Sequence, residues 1–566
     1  MPSRGQRVVP VSGSFGWASS LLAVALLAGC DGGAEADGGA DAARPDAAAD
    51  RDAGARHDAA PADGGPPDAA VAPTGEMALG WVRRVESAGT LAEASSARLA
   101  PAPHAGVVLS VPLGAAPATF APDRADALTL GDGAAAPPTQ ALAWLGADGS
   151  LEAARAVAVD DPAMEGFDAL GLGLDTLADG TVVVAGSFLA GARFGGDDPD
   201  AVSFQTVREM LEMDRVVTSR EGYLARFDAD RAIAWAARAR SETGLADLRL
   251  ADVAALPDGS TIGIGAFDDP VTLGQGADEA RLTPTAGSEG EVFVARHGPD
   301  GSLTWARRLE GTSTPVRVAA WDDGAFAVLF RYSAAVTVGP GEAAERTLPD
   351  PPDGVLAWDA VARFDADGRL AWVRAVGSGA TTHPGLQDLW LAADGAVVVA
   401  GTFRGQLAWP DEPDVDPLRI YGVDGVLARL DADGGLAWQH RIRSLRSLKV
   451  QAIAPTAAGG TWVALTVGPD GAVFMPEGEE PLFLMGTTDN ARLVLLRYDA
   501  AGVLRAAQHL ATTDVDADDL LPVGDALVLV GRYGAGTVLE PGTTAARRLP
   551  DARSYRNVFV ARYAPR

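Results

Sequence analysis

Cysteine and lysine are almost missing from this chain of 566 residues, which has one of each, Cys30 and Lys449. A single thiol excludes an intramolecular disulfide, so the fold has to rest on packing. Basic side chains are outnumbered, 46 Lys and Arg against 76 Asp and Glu, for a net charge of -30. That balance argues against nucleic acid as a partner, since phosphate binding needs clustered Lys and Arg, and its ordinary consequence is solubility and self-repulsion. The six histidines are His57, His104, His297, His383, His440 and His509. No two have the i, i+4 spacing of a helical zinc site, so they read as isolated surface or hairpin residues. A Gly-x-Ser-x-Gly elbow and a Gly-Lys-Ser/Thr phosphate loop are missing as well. Long apolar runs are absent except near the N-terminus, where Arg4 and Arg7 precede a stretch ending Leu21-Leu22-Ala23-Val24-Ala25-Leu26-Leu27-Ala28-Gly29. This is short for a membrane span and has the flanks of a signal peptide.

Cys30 directly follows Leu27-Ala28-Gly29, which resembles the lipobox of bacterial lipoproteins. The resemblance implies removal of residues 1–29, acylation of the Cys30 thiol and attachment to an inner or outer membrane of a bacterial cell envelope. Two acyl chains give stable anchoring where one is marginal. Residues 30–75 are almost entirely Ala, Asp, Gly and Pro. Such a stretch cannot bury enough apolar surface to offset its chain entropy, so it is expected to be a disordered tether.

Residues 76–566 carry a repeat of about 70 residues, and a fixed period with several short strands inside it signals a closed array. Its clearest copies are Val361-Ala362-Arg363-Phe364-Asp365-Ala366-Asp367-Gly368-Arg369-Leu370-Ala371-Trp372 and Leu427-Ala428-Arg429-Leu430-Asp431-Ala432-Asp433-Gly434-Gly435-Leu436-Ala437-Trp438. The register mark recurs at Trp81, Ala153, Trp235, Trp305, Trp372, Trp438 and Ala506, which implies seven blades. Each repeat reads as four short strands separated by Asp-Gly turn signals, the pattern of a propeller blade. Ala78 to Val85 matches a fourth strand and Val558 to Tyr563 a third. The first strand is therefore expected to complete the last blade and close an all-β, seven-bladed β-propeller. Loops between second and third strands are elaborated, with Gln406–Trp409 and Leu418–Tyr421 forming a small hairpin and an insert around Asp197 to Arg215. With Ala185-Gly186-Ser187-Phe188, Ala400-Gly401-Thr402-Phe403, Phe293-Val294-Ala295-Arg296 and Ser302-Leu303-Thr304-Trp305, the domain resembles bacterial lipoproteins with SBBP-like β-propeller repeats. A looser similarity to the tryptophan-docked blades of quinoprotein dehydrogenases lacks their vicinal Cys pair.

Candidate sites are few. The Asp365/Asp367 and Asp431/Asp433 pairs match half of a calcium loop but lack its distal Glu, and tight turns explain them. Asp514, Asp516 and Asp518 are the better calcium candidates, calcium being the only cofactor the spacing invites. The repeated Trp residues are expected to pack between sheets and not to stack on sugars. Aligning the first strands on their turns puts Leu99, Gly173, Asp252, Arg317, Asp388, Ile453 and Asp518 at equivalent positions. Asp252, Arg317, Asp388 and Asp518 would then ring one mouth of the channel, where they read as solvated strand ends or, alternatively, as a ligand site. The reading is a monomeric, membrane-anchored binding or scaffolding module for a protein or glycan, without catalysis. Its rival is a metal- or quinone-dependent hydrolase or oxidoreductase with its site in the channel.

Overall fold

The computed structural model describes residues 77–566 apart from connecting stretches, of which 159–169 is the longest. Cys30 and the tether lie outside the described residues, among which there is no α-helix. The fold is all-β. Strands run as antiparallel meanders of four, the clearest being Gly385–Leu391, Val397–Ala408, Leu418–Leu430 and Leu436–Ile442, paired in that order. The second strand forms because Val397, Val398, Val399 and Ala400, each 0% exposed, are apolar on both faces of a buried position and three of them are β-branched. Other meanders open with the first strands Arg98–Ala102, Leu170–Thr176, Arg249–Ala255, Ser313–Ala320, Leu448–Pro455 and Val515–Val523. First strands pack side by side in chain order, and Val515–Val523 packs on Arg98–Ala102.

The last meander is built from both ends of the domain. Val515–Val523, Ala526–Tyr533 and Asn557–Pro565 are followed in the sheet by Met77–Ser87, with Leu79 opposite Tyr563 and Val85 opposite Val558. The pairing expected from the sequence match is therefore present. It covers the edge that Asn557–Pro565 would otherwise expose.

The hairpins after the second strands have a destination that the sequence does not reveal. Gln406 pairs with Arg419 and Leu407 with Leu418, as expected, but Ala408 also pairs with Gly377 on the outer strand of the preceding meander. Ala118–Phe120 likewise joins Met77–Ser87, Val271–Leu273 joins Ile233–Ser241, and Val538–Leu539 joins Leu504–Thr512. These hairpins thus cap the outer edge of the meander before their own, where an unpaired strand would invite association. The insert adds a further small hairpin, Arg208–Leu211 against Arg215–Thr218.

What joins one meander to the next is the repeated motif itself. Trp372 donates its indole N–H to the Ala432 carbonyl at 2.9 Å, in the Asp-x-Asp-Gly turn of the following meander. Gly434 of that turn has φ +82°, and a Cβ there would stand 2.6 Å from the Trp372 ring. Only glycine satisfies both the turn and the close approach. The motif arginine grips the same neighbour, Arg363 donating to the carbonyls of Gly395 at 3.0 Å and Ala432 at 2.9 Å. Trp81 on Gly149, Trp235 on Gly301 and Trp305 on Gly368 repeat the docking. Arg226 and Arg562 repeat the arginine bonds, to Gly259 and Pro299 and to Ala105 and Ala147.

The two positions where alanine replaces the motif Trp have physical explanations. Ala506 precedes the meander in which Asn557–Pro565 and Met77–Ser87 come from opposite ends of the domain, so no turn exists there for an indole to cover. At Ala153 the seam is built differently. Arg231 stands in the turn where glycine is usual, at φ +69°, and its guanidinium lies 5.4 Å from the ring of Trp144, which occupies the motif-arginine position. The ring still comes from the preceding meander, now from its third strand, while the cation comes from the following turn, and their attraction is supplemented by the 2.6 Å Arg231–Glu152 ion pair.

Trp372 is 8% exposed, and its replacement by Ala should cost about 3–5 kcal/mol. Gly434→Ala should be destabilising in its own right. If the ring and the glycine form one unit, Trp372→Ala/Gly434→Ala will lose less than the sum of the single losses in urea unfolding, because the steric conflict disappears with the ring. Strict additivity would refute the docking.

Candidate functional site

Bulges decide where the first strands aim their charges. The pairing slips between Leu250 and Asp252, Pro315 and Arg317, Leu386 and Asp388, Val450 and Ala452, and Ala517 and Asp519. An extra residue in one strand re-aims the side chain that follows it. The equivalent positions are therefore Asp252, Arg317, Asp388, Ala452 and Asp519, which corrects the sequence alignment by one residue at Asp518 and at Ile453. Asp518 is the bulge residue itself and turns to Arg532 on the adjacent strand at 3.0 Å.

Asp252, Arg317 and Asp388 do come together, joined by Asp519 and by Arg98, which counting from turns did not find. Arg317 donates its Nε–H to Asp388 at 3.0 Å and lies 3.8 Å from Asp519. Arg98 donates to the Asp518 carbonyl at 3.4 Å and stands in the field of Asp519, Asp252 and Asp388. The acids are not a solvated ring. Asp252 and Asp388 are each 5% exposed, and their second oxygens accept backbone N–H bonds from the next first strand. Asp252 takes Val318 at 3.0 Å, Asp388 takes Ile453 at 2.8 Å and Asp519 takes Leu99 at 2.9 Å. One carboxylate thus serves as cross-strand acceptor and counter-ion at once.

Burial governs the protonation equilibria of this cluster. It raises Asp252 and Asp388 despite the pull of Arg317, and raises Asp518 despite Arg532. For Arg317 burial disfavours the cation, but Asp388, Asp252 and Asp519 outweigh it and hold the charge. Arg98 is lowered by burial and by repulsion from Arg317. Asp175, just outside this cluster, is pushed up to about 6 by burial although it accepts N–H bonds from Ala255 and Thr176. Such an arrangement ties strands together and presents fixed charge. Each of Asp252, Asp388 and Asp519 commits at least one oxygen to a backbone N–H, and Asp388 and Asp519 commit both.

The calcium reading of Asp514, Asp516 and Asp518 does not survive the strand geometry. Asp516 accepts from Gln451 at 2.8 Å, Asp518 is held by Arg532, and the bulge breaks the alternation that would put the three on one face. Among the described residues no three His, Cys, Asp or Glu side chains converge as a metal site. Asp365 and Asp431 act as turn residues, accepting N–H bonds from Asp367 and Arg369 and from Asp433 and Gly435. His297, expected at the surface, is 4% exposed, and burial lowers it to about 4.

No family model matches the chain, and no curated protein does. Among solved structures, NanB with Optactamide aligns at 6% identity and TM-score 0.33, over 82% of this chain and 67% of that one. A luciferin-regenerating enzyme aligns at 11% identity and TM-score 0.27, over 70% and 91%. A protein of unknown function from Bacteroides caccae aligns at 10% identity and TM-score 0.21, over 51% and 89%. Likeness at this level carries no reading of the chain's activity.

Arg317→Met should destabilise the domain by about 3–5 kcal/mol, because it strands Asp388 and Asp519 as buried anions. Adding Asp388→Asn should recover part of the loss, since the amide oxygen still accepts from Ile453; equal stability of the single and double variants would refute the coupling. The Asp175 prediction concerns pH. A carboxyl whose folded pKa lies above its unfolded value near 4 adds stability at low pH and loses it as pH rises through about 6. Asp175→Asn should therefore exceed wild type by on the order of 1–2 kcal/mol at pH 7.5 and lose that advantage toward pH 4.5. An advantage independent of pH, read from urea midpoints, would rule out ionisation as the cause.

Proposed function

We propose that residues 76–566 form a closed seven-bladed β-propeller, held by a lipid on Cys30 and the tether of residues 30–75 at a bacterial cell envelope, acting as a binding or scaffolding module. The observation that carries the closed arrangement is the junction of the two ends. Met77–Ser87 pairs with Asn557–Pro565, and the first strands Arg98–Ala102 and Val515–Val523 are clipped by Ala97 N–H to Asp518 at 3.2 Å and Leu99 N–H to Asp519 at 2.9 Å. The anchored location rests on Leu27-Ala28-Gly29-Cys30 and on the resemblance to SBBP-like lipoproteins. Among the described residues no helix is long and apolar enough to cross a membrane.

A binding role is favoured over the channel-sited enzyme because the charged residues such an enzyme would use are engaged in holding strands. Asp252, Asp388 and Asp519 each take a backbone N–H of the next first strand, and Arg317 is shared between two of them. Propellers host binding and catalysis alike, so the preference comes from these residues and not from the fold.

Two variants test the reading. Cys30→Ala should move the protein from the detergent phase to the aqueous phase in Triton X-114 partitioning, and retention in detergent would overturn lipidation. Deleting Met77–Ser87 should expose the Asn557–Pro565 edge and convert a monomer into aggregates at a lower Tm. A monomeric deletion variant with unchanged Tm would overturn closure by the N-terminal strand.

A further inference from the structure

The sequence Trp-x-Arg-Arg occurs twice, as Trp81-Val82-Arg83-Arg84 and Trp305-Ala306-Arg307-Arg308. Both copies lie on outer strands, and beside each the structure has a groove at the same place in the repeat. The first, of about 320 Å³, is lined by Arg83, Arg84, Arg124, Arg547 and Arg548 with Asp123 as the only acid in its wall. The second, of about 510 Å³, is lined by Arg281, Arg307, Arg308 and Arg369 with Glu342 as its only acid. In each case the outer strand, the hairpin that caps the preceding meander and the loop of the hairpin that follows contribute, and in the second the turn of the next meander adds Arg369. Gathering arginines twice in a chain of net charge -30 runs against its composition.

Much of this charge is compensated, by Asp123 within the first groove and otherwise by acids outside the two linings. Arg84 pairs with Glu86 and Asp123, Arg124 with Asp126 at 2.8 Å, Arg308 with Glu291 at 2.8 Å and Glu310 at 2.6 Å, Arg281 with Glu242 at 2.7 Å, and Arg369 with Asp367 at 2.5 Å. Arg548 reaches Asp551 only at 3.6 Å. Two arginines are different. Arg547 and Arg307 are exposed, and among the described residues neither guanidinium has an ion pair or hydrogen bond, that of Arg307 lying 6.0 Å from the ring of Trp305. Arg83 spends its donors on backbone carbonyls, including Asp148 at 2.8 Å, and meets no carboxylate. Burial and then repulsion from Arg124 lower Arg83, with Arg547 adding to the repulsion, although Asp126 and Asp148 oppose this.

We propose that these two grooves are repeat-related binding sites for phosphate monoester groups, with Arg547 and Arg307 as the principal anion-binding side chains. Guanidinium forks match oxyanions bidentately, and a tetrahedral dianion offers three acceptor oxygens to forks arriving from different elements, where a carboxylate offers two to one. Two separate clefts on an acidic molecule suit a compact anion and not a long polyanion, which needs a continuous basic track. The sites lie on the rim, away from the charged centre of the first strands, and do not depend on the lipid anchor.

The test uses the full chain carrying Cys30→Ala, so that acylation cannot contribute to membrane binding. Titration calorimetry with inorganic phosphate and with glycerol phosphate, at constant ionic strength set by chloride, should show two sites. Arg547→Gln and Arg307→Gln should each remove one, or weaken it at least tenfold, and the double variant should remove both while keeping the wild-type Tm in chloride. Sedimentation with vesicles containing phosphatidic acid, set against vesicles of phosphatidylcholine alone, separates a lipid headgroup from a soluble phosphate. Binding in either arm that the double variant loses supports the sites, the arm identifying the source. No binding in both arms, or binding that the double variant retains, overturns them.

Discussion

The structure depends on one contact, an indole laid on the glycine of the next repeat's turn. A meander of four strands buries its second and third strands but cannot by itself cover its outer one, so each repeat needs a neighbour to complete its core. Trp372 on Gly434 supplies apolar area, and its N–H, with the guanidinium of Arg363, satisfies a carbonyl of that turn. Motif letters that look like local turn chemistry therefore encode a contact between repeats: Arg and Trp act forward along the chain, and Asp-x-Asp-Gly receives them. At the seam of Trp144 and Arg231 the ring still comes from the preceding meander, but it meets a cation in the turn position where the other seams have glycine.

A second set of ties operates at the first strands, where the hydrophobic effect cannot do the same work. Strands packed side by side there do not share a ladder, and their amides need other acceptors. Bulged carboxylates supply them, Asp252 for Val318, Asp388 for Ile453 and Asp519 for Leu99. Three anions so close together would repel one another strongly at low dielectric, and Arg317 and Arg98 offset that repulsion. Charge at the centre is thus a consequence of how the strands are joined, which is why its presence alone is a poor sign of catalysis.

Much of this was legible in the sequence because periodicity survives in it. The repeat length, the four strands, the pairing of Leu79 with Tyr563 and the buried role of Trp372 all follow from residues that recur at fixed spacing. Asp519 was missed for a physical reason: a bulge inserts one residue without any marked composition, and a slip of one flips every later side chain. The same slip made Asp514, Asp516 and Asp518 look like a calcium run. Arg98 stands on a strand paired without a slip, where counting from turns pointed to its neighbour Leu99. Hairpin destinations were illegible too, since Ala408 opposite Gly377 is a contact between repeats that no local pattern announces.

Edge protection ties these levels together. An array of sheets has as many outer strands as repeats, and every one is a template for association. Here Met77–Ser87 is itself capped by Ala118–Phe120, just as Leu370–Ser378 is by the end of Val397–Ala408. Capping by the following repeat's hairpin has a geometric by-product. It leaves a cleft between successive hairpins and the outer strand they flank, walled by whatever residues follow the motif Trp. At Arg83-Arg84 and at Arg307-Arg308 that groove is lined with arginines. The same hairpins that close the edges thereby shape the grooves beside Arg83-Arg84 and Arg307-Arg308, above strands whose indoles, Trp81 and Trp305, are spent on the glycine of the next turn.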